Sequence, residues 1–243
     1  MIAASPSVKL PIEALGQAFE RLHPTVRVRI HYDNGLDLRR TVAAIGNDRR
    51  FFLGTGPIDL IAPGGDELIR RLESKQYTVP GTATAYAAVP LVLVVPASLV
   101  EAPASFRELG GNKAYRVAVA DPGLTELGRQ TERLFDALGL AHDLRGRLDV
   151  ASDGRGVLDH VLLGQADAGV LFGPDASREQ ERVRVVARAA GGADGAQTEP
   201  TVHSMAMGRY CVDRARCEAF LAFVRSPEGR RIVASLGYEP PGD

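Results

Sequence analysis

The chain has 243 residues, of which 45% are hydrophobic, enough for one large domain or two of about 100–150 residues, each with a sizeable core. Its 29 basic and 30 acidic side chains leave no electrostatic footprint for nucleic acid or an anionic membrane, so affinity has to come from a local site for a small ligand or a protein partner. No apolar run reaches the roughly 18 residues of a spanning helix, and the opening MIAASPSVKL lacks the basic and apolar regions of a secretory signal, as in a mature chain.

Taken in chain order, apolar residues at a spacing near 3.6 predict helices at Ile12, Leu15, Phe19 and Leu22, and at Leu38, Val42 and Ile45. Two more follow at Leu127, Thr131, Leu134 and Leu138, and at Val157, Leu158, Val161 and Leu162. Between them lie valine-rich runs of strand length: Val26 to Tyr32, Ile58 to Ala62, Leu91 to Val95, Arg116 to Ala120, Ala168 to Phe172 and Val183 to Ala187. A further strand-like run spans Met205 to Val212. The Gly- and Ala-rich stretch from Ala189 to Gln197 reads as an exposed loop. The chain closes on two short helices. Phe220, Leu221 and Val224 stripe the first, while Ser226-Pro227-Glu228 supplies a cap, a first-turn proline and a first-turn acid for the second, which Gly237 terminates. This alternation predicts an α/β fold with largely parallel sheets.

Most of these strands end in small or polar residues just before a helix: Ala4-Ser5-Pro6-Ser7, Asp33-Asn34-Gly35, Pro63-Gly64-Gly65-Asp66 and Asp121-Pro122-Gly123. Ligands of open parallel sheets sit at such carboxyl ends, facing helix N-termini, although any α/β chain also needs loops of this kind to turn. Cys211 and Cys217 lie six apart without a histidine cluster at zinc spacing, which leaves a disulfide and two partly buried thiols as alternatives. His31, His160 and His203 are scattered, and His23 before Pro24 reads as a surface loop residue. A metal held by one of them with Asp33 or Asp121 is less expected than ordinary hydrogen bonding, so neither a metal nor a cofactor is predicted.

The closing FLAFVRSPEGRRIVASLGYEPP resembles the C-terminus of bacterial extracellular solute-binding proteins, and the order of landmarks along the chain resembles the molybdate-binding proteins of bacterial ABC transporters. Ser7-Val8 precedes Phe19 by twelve positions; Leu38 to Val42 and Pro57-Ile58-Asp59-Leu60 follow. Later come Asp121-Pro122 to Gly128, the arginine-led Arg155 to Val161, and Ala168-Gly169-Val170-Leu171-Phe172-Gly173-Pro174-Asp175-Ala176. The resemblance implies a two-lobed type II periplasmic-binding fold with a ligand in the interlobe cleft and a hinge of two crossovers near Val89 and Met205. Residues 1–88 and 205–243 would form the first lobe and 89–204 the second.

It also implies an oxyanion of the molybdate or tungstate type, or a diverged small polar ligand, held by neutral donors rather than a matching cation. Hydrogen bonds to a charged group are worth about 1.5–3 kcal/mol each. Ser7 matches the first serine of that site, and its alternative is an N-cap for the helix over Ile12 to Leu22. Asn34 and Gly35 stand where the second serine loop would be, Thr125 lies in the stretch before the third helix, and Phe172 occupies the position of a tyrosine. Phe172 has no hydroxyl, and Glu126 would set a negative charge beside a dianion, so weaker molybdate binding is expected. Asn34, Thr125 and Arg155 are the candidate replacements, with Arg155 either gripping the ligand or serving structure. These features imply a monomeric, non-enzymatic, periplasmic or extracytoplasmic component of an ABC importer with a permease as partner. The rival readings are a ligand-sensing effector domain of a transcription regulator and, with no G-x-S-x-G context around Ser7, an enzyme.

Overall fold

The computed structural model describes residues 1–48, 57–111, 115–189 and 200–241. They form two compact units, Met1–Ala88 with Val202–Asp243, and Val89–Thr201. The strands, in chain order, are β1 (Ile2–Ala4), β2 (Ile30–Tyr32), β3 (Leu60–Ala62), β4 (Thr84–Val89), β5 (Leu91–Pro96), β6 (Val117–Ala120), β7 (Leu148–Ala151), β8 (Ala168–Phe172), β9 (Val183–Ala189) and β10 (Thr201–Met207). The α-helices are α1 (Lys9–Leu22), α2 (Gly35–Asp48), α3 (Glu67–Ser74), α4 (Glu126–Ala137), α5 (Gly154–Leu162), α6 (Gly173–Ser177), α7 (Arg214–Arg225) and α8 (Pro227–Ser235).

The first unit holds a five-stranded sheet in the order β2-β1-β3-β10-β4. Its central β1 pairs in parallel with β2 and β3, and β10 runs antiparallel to β3. Leu38 and Val42 of α2 and Ile69 and Leu72 of α3 join Ala3, Ile61 and Ala206 of the sheet in one buried cluster. Elsewhere in the unit α1 packs on the C-terminal pair, with the Phe19 ring 5.0 Å from Phe220 and 5.7 Å from Phe223. That pair follows its sequence signals closely. The Ser226 hydroxyl accepts from Gly229 N at 3.1 Å, and Gly237 ends α8 at φ +85°, a conformation that costs glycine nothing sterically.

In the second unit the order is β7-β6-β8-β5-β9. Strands β7, β6 and β8 are parallel, while β5 is antiparallel to both β8 and β9. Every residue of β6 and β8 is buried, which is why they read as continuous apolar runs rather than alternating ones. Edge strand β7 instead leaves Leu148 and Val150 exposed.

Several sequence expectations shift. Of the run Val26 to Tyr32, only Ile30–Tyr32 is strand, because β2 is an edge whose partner β1 offers three residues for pairing. The expected Met205 to Val212 strand lies earlier, at Thr201–Met207; beyond it Gly208 N bonds to Asp59 O and Cys211 N to Gly208 O, turning the chain toward α7. Strands β4 and β7 had no sequence counterpart. The boundaries between the units fall at Ala88/Val89 and Thr201/Val202, the second a few residues before Met205. Cys211 and Cys217 are joined in a disulfide, which decides the alternative the sequence left open. Most of the Ala189 to Gln197 stretch lies outside the described residues.

Candidate functional site at the strand ends

In the first unit the carboxyl ends of β1 and β3 are tied together where Ser5 N donates to Ala62 O at 3.1 Å. Pro6 then opens a single 3₁₀ turn, Pro6–Val8, closed by Val8 N on Ser5 O at 3.1 Å, and this turn runs directly into α1 at Lys9. The helix therefore starts earlier than its apolar stripe suggests. Its capping residue is Val8, which has no polar side chain to offer the helix, and the Ser5 side chain caps nothing either. The Ser7 hydroxyl thus sits outside the capping scheme. Its Oγ lies 3.1 Å from Ser5 Oγ, and both stand over Gly64 at the end of β3. A Cβ on Gly64 would come within 2.3 Å of Ser7 Oγ and 3.6 Å of Ser5 Oγ, so this close approach of hydroxyls to backbone requires glycine.

Asn34 and Gly35 lie at the end of β2, in the same unit. Asn34 Oδ1 accepts from Leu36 N and Asp37 N at 3.0 Å each, and its Nδ2 donates to Asp37 Oδ2 at 2.8 Å. Its amide is therefore engaged in capping α2, whose first residue is Gly35. Beside it His31 Nε2 meets Asp33 Oδ2 at 3.0 Å, and Thr41 Oγ1 reaches the same oxygen at 3.4 Å.

Thr125, Arg155 and Phe172 belong to the second unit. Thr125 caps α4: its hydroxyl accepts from Gly128 N and donates to Asp121 O, both at 3.0 Å. Gly128 packs so tightly on the end of β6 that a Cβ would lie 2.4 Å from Ala120 O. The buried Glu126 carboxylate turns back to Arg129 Nε and Nη2 at 3.0 and 2.9 Å and to Gln130 Nε2 at 2.7 Å, so its charge is compensated within the first turns of α4. Asp153 caps α5 by accepting from Gly156 N at 2.9 Å. A Cβ on Gly154 would lie 3.2 Å from Leu127 and 3.8 Å from Asp175 Oδ2, which shows that the heads of α4, α5 and α6 converge. Burial, reinforced by the nearby Asp153 charge, pushes the Asp175 carboxyl up to about 6 against the opposing pull of Arg178. Phe172 is buried at the head of α6, with Leu91 as its cross-strand neighbour. Arg155 is largely exposed and pairs with Asp159 at 2.9 Å and Glu179 at 3.6 Å, an arrangement that serves structure.

Three residues have surroundings that their sequence reading does not anticipate: Ser5, Gly64 and His203. The first two carried a signal in Ser5-Pro6-Ser7 and Pro63-Gly64-Gly65, each read as an ordinary turn. His203 is fully buried in β10, and burial pushes its imidazole down to about 4. Among the described residues Asp59, Cys211 and Cys217 bring donor atoms within 4.8 Å of one another, but the two sulfurs are already bonded to each other.

The model of the bacterial extracellular solute-binding protein family matches residues 1–239. The chain is similar to the molybdate-binding protein ModA of Mycobacterium tuberculosis, at 26% identity over 99% of this chain and 84% of that protein. Among solved structures, the Azotobacter vinelandii periplasmic molybdate-binding protein superposes with a TM-score of 0.75 at 17% identity, covering 99% of each chain. Iron-bound HitA from Pseudomonas aeruginosa gives 0.77 at 15%, covering 99% of this chain and 85% of that one. At such identities these structures speak for the fold, and it is a fold that hosts both an oxyanion binder and an iron binder.

Proposed function

We propose, because this chain belongs to the bacterial extracellular solute-binding proteins, that it captures a small oxyanion for an ABC importer and grips it at the Ser5–Ser7 turn. It is a binding protein rather than an enzyme, and its Cys211–Cys217 disulfide suits an oxidising, extracytoplasmic setting. The observation that carries the ligand class is the pair of hydroxyls 3.1 Å apart over Gly64, neither of them used as a helix cap. Neutral hydroxyls donate well to an oxyanion because each hydrogen bond to a charged acceptor contributes about 1.5–3 kcal/mol, and they carry no charge that would recruit cations instead. Molybdate and tungstate head the candidates on the relationship to ModA, with sulfate and phosphate as the isosteric competitors.

A thermal-shift panel of these four anions tests the reading. The true ligand at about 100 times its Kd should stabilise the native state by roughly 2.7 kcal/mol. Ser7→Ala should weaken that ligand by about 1.5–3 kcal/mol while changing the stability of the empty protein by less than about 1 kcal/mol. A panel in which no oxyanion raises the Tm, or a Ser7→Ala variant that loses stability and keeps its affinity, refutes it.

A further inference from the structure

Asp59 stands just before β3, at the opposite end of the strands from Ser5 and Ser7, and backbone groups hold it in place. Its carbonyl accepts from Gly208 N at 2.8 Å, and its Oδ1 accepts from Val212 N at 3.0 Å. The other carboxylate oxygen meets the Met1 amine. Cys211 N bonds in turn to Gly208 O at 3.0 Å, so the segment 208–212 is fixed against Asp59 without help from the disulfide. In this arrangement a carboxylate oxygen of Asp59 and the sulfurs of Cys211 and Cys217 lie within 4.8 Å of one another. Cys211 is half-buried, while Cys217, 5% exposed, lies in the first turn of α7, where the positive end of the helix favours a thiolate. Asp59, Val212 and Cys217 also line a cavity of about 210 Å³ that opens to solvent, which gives an ion an entrance and leaves room for water as a further ligand. The carboxylate is 158 residues from Cys217 in sequence, so the cysteine spacing alone shows no metal site.

We propose that Cys211, Cys217 and Asp59 form a redox-gated site for a thiophilic divalent cation of the zinc class, blocked in the disulfide and opened by a dithiol reductant. One thiolate of the reductant attacks the sulfur of Cys211, the more exposed of the two cysteines; the S–S bond breaks and Cys217 leaves as a thiolate. The second thiol of the reductant then attacks its own sulfur in the mixed disulfide, freeing Cys211 and departing as a cyclic disulfide, two electrons oxidised. The two protons of the dithiol pass to the cysteines and are released to solvent when the cation binds both sulfurs as thiolates. Two soft sulfurs with one carboxylate suit Zn²⁺ or Cd²⁺ and reject Mg²⁺ and Ca²⁺, which take oxygen shells. Disulfide and metal are thus alternative closures of one loop, and re-forming the disulfide ejects the ion.

Cd²⁺ is the probe, because its thiolate complexes absorb in the ultraviolet by charge transfer and its carboxylate complexes do not. The full chain is titrated with Cd²⁺ in its oxidised form and after reduction by a dithiol that is then removed, with far-UV circular dichroism recorded on each. The reduced chain should keep its fold, bind one Cd²⁺ with a thiolate band and withhold both thiols from a disulfide reagent, while the oxidised chain shows no band. Cys211→Ser should weaken Cd²⁺ at least about a hundredfold, and Asp59→Asn, whose amide oxygen can still accept from Val212 N, about tenfold with the band retained. A reduced chain that unfolds, one that shows no thiolate band, or a Cd²⁺ affinity that Asp59→Asn leaves unchanged overturns the proposal.

Discussion

The strand ends of the two units occupy equivalent places in two similar sheets and are built from opposite chemistry. In the first unit Ser5 and Ser7 present neutral hydroxyls over the bare backbone of Gly64. In the second, Asp121, Glu126, Asp153 and Asp175 crowd the heads of α4, α5 and α6, and the polar groups there are largely consumed in capping and pairing. Topology thus nominates a place for a site without deciding its chemistry. The first unit leaves two hydroxyls outside any helix cap, whereas the second spends comparable groups on holding its helices.

The two units also carry buried titrations of opposite sign. His203 is depressed from 6.5 to about 4, so the unfolded chain takes up its proton first as pH falls, and the contribution to stability is present above 6.5 and lost between 6.5 and 4. Asp175 is raised from 3.8 to about 6, so the native state keeps its proton longer; that contribution is present below 3.8 and lost as pH rises toward 6. Acid therefore acts against the first unit in the range where it favours the second.

The sharpest way to break this comparison is through the glycines. Gly128→Ala would drive a methyl into the Ala120 carbonyl and the Asp121 backbone and should cost about 3 kcal/mol in urea unfolding. Gly64→Ala meets only the end of the Ser7 side chain, which can rotate away, so it should cost no more than about 1 kcal/mol of stability while weakening oxyanion binding at least about tenfold. Similar stability losses in the two variants would erase the distinction between a packing glycine and a site glycine. Next in size is the histidine linkage. Between pH 6.5 and pH 4 the wild-type protein should lose about 3 kcal/mol that His203→Phe retains, read as the difference between their denaturant midpoints at the two pH values. Smallest is Asp175→Asn. Above pH 6 it should gain about 1 kcal/mol, reduced by partial exposure and by the Arg178 partner it gives up, and at about pH 4 it should gain nothing. A gain of the same size at both pH values would mean the effect is packing and not titration.

Much of the fold is legible in the chain itself. Helix stripes such as Leu127, Thr131 and Leu134 recur at a spacing that can only bury one face, and Ala168–Phe172 is an unbroken apolar run that only a two-sided sheet interior accommodates. Capping residues are equally plain: Ser226-Pro227-Glu228 and the left-handed Gly237 act within one turn of chain, where local sterics and hydrogen bonding dominate. The strands β2 and β10 are placed less well, because the length and register of a strand depend on what its neighbours offer.

The alternating elements, their principal caps and the glycine- and serine-bearing turns at the strand ends all follow from interactions among residues close along the chain, and the amino-acid order suffices to specify them. What those turns are for depends on segments brought together by folding. Tertiary contacts set Ser7 over Gly64 instead of leaving it a helix cap, whereas Asn34 and Thr125 are claimed as caps by residues two to four positions away. A hydroxyl or amide can accept from a helix end or donate to a backbone carbonyl or a ligand; the first choice is settled by neighbours along the chain, the others by contacts between parts of the chain far apart in sequence.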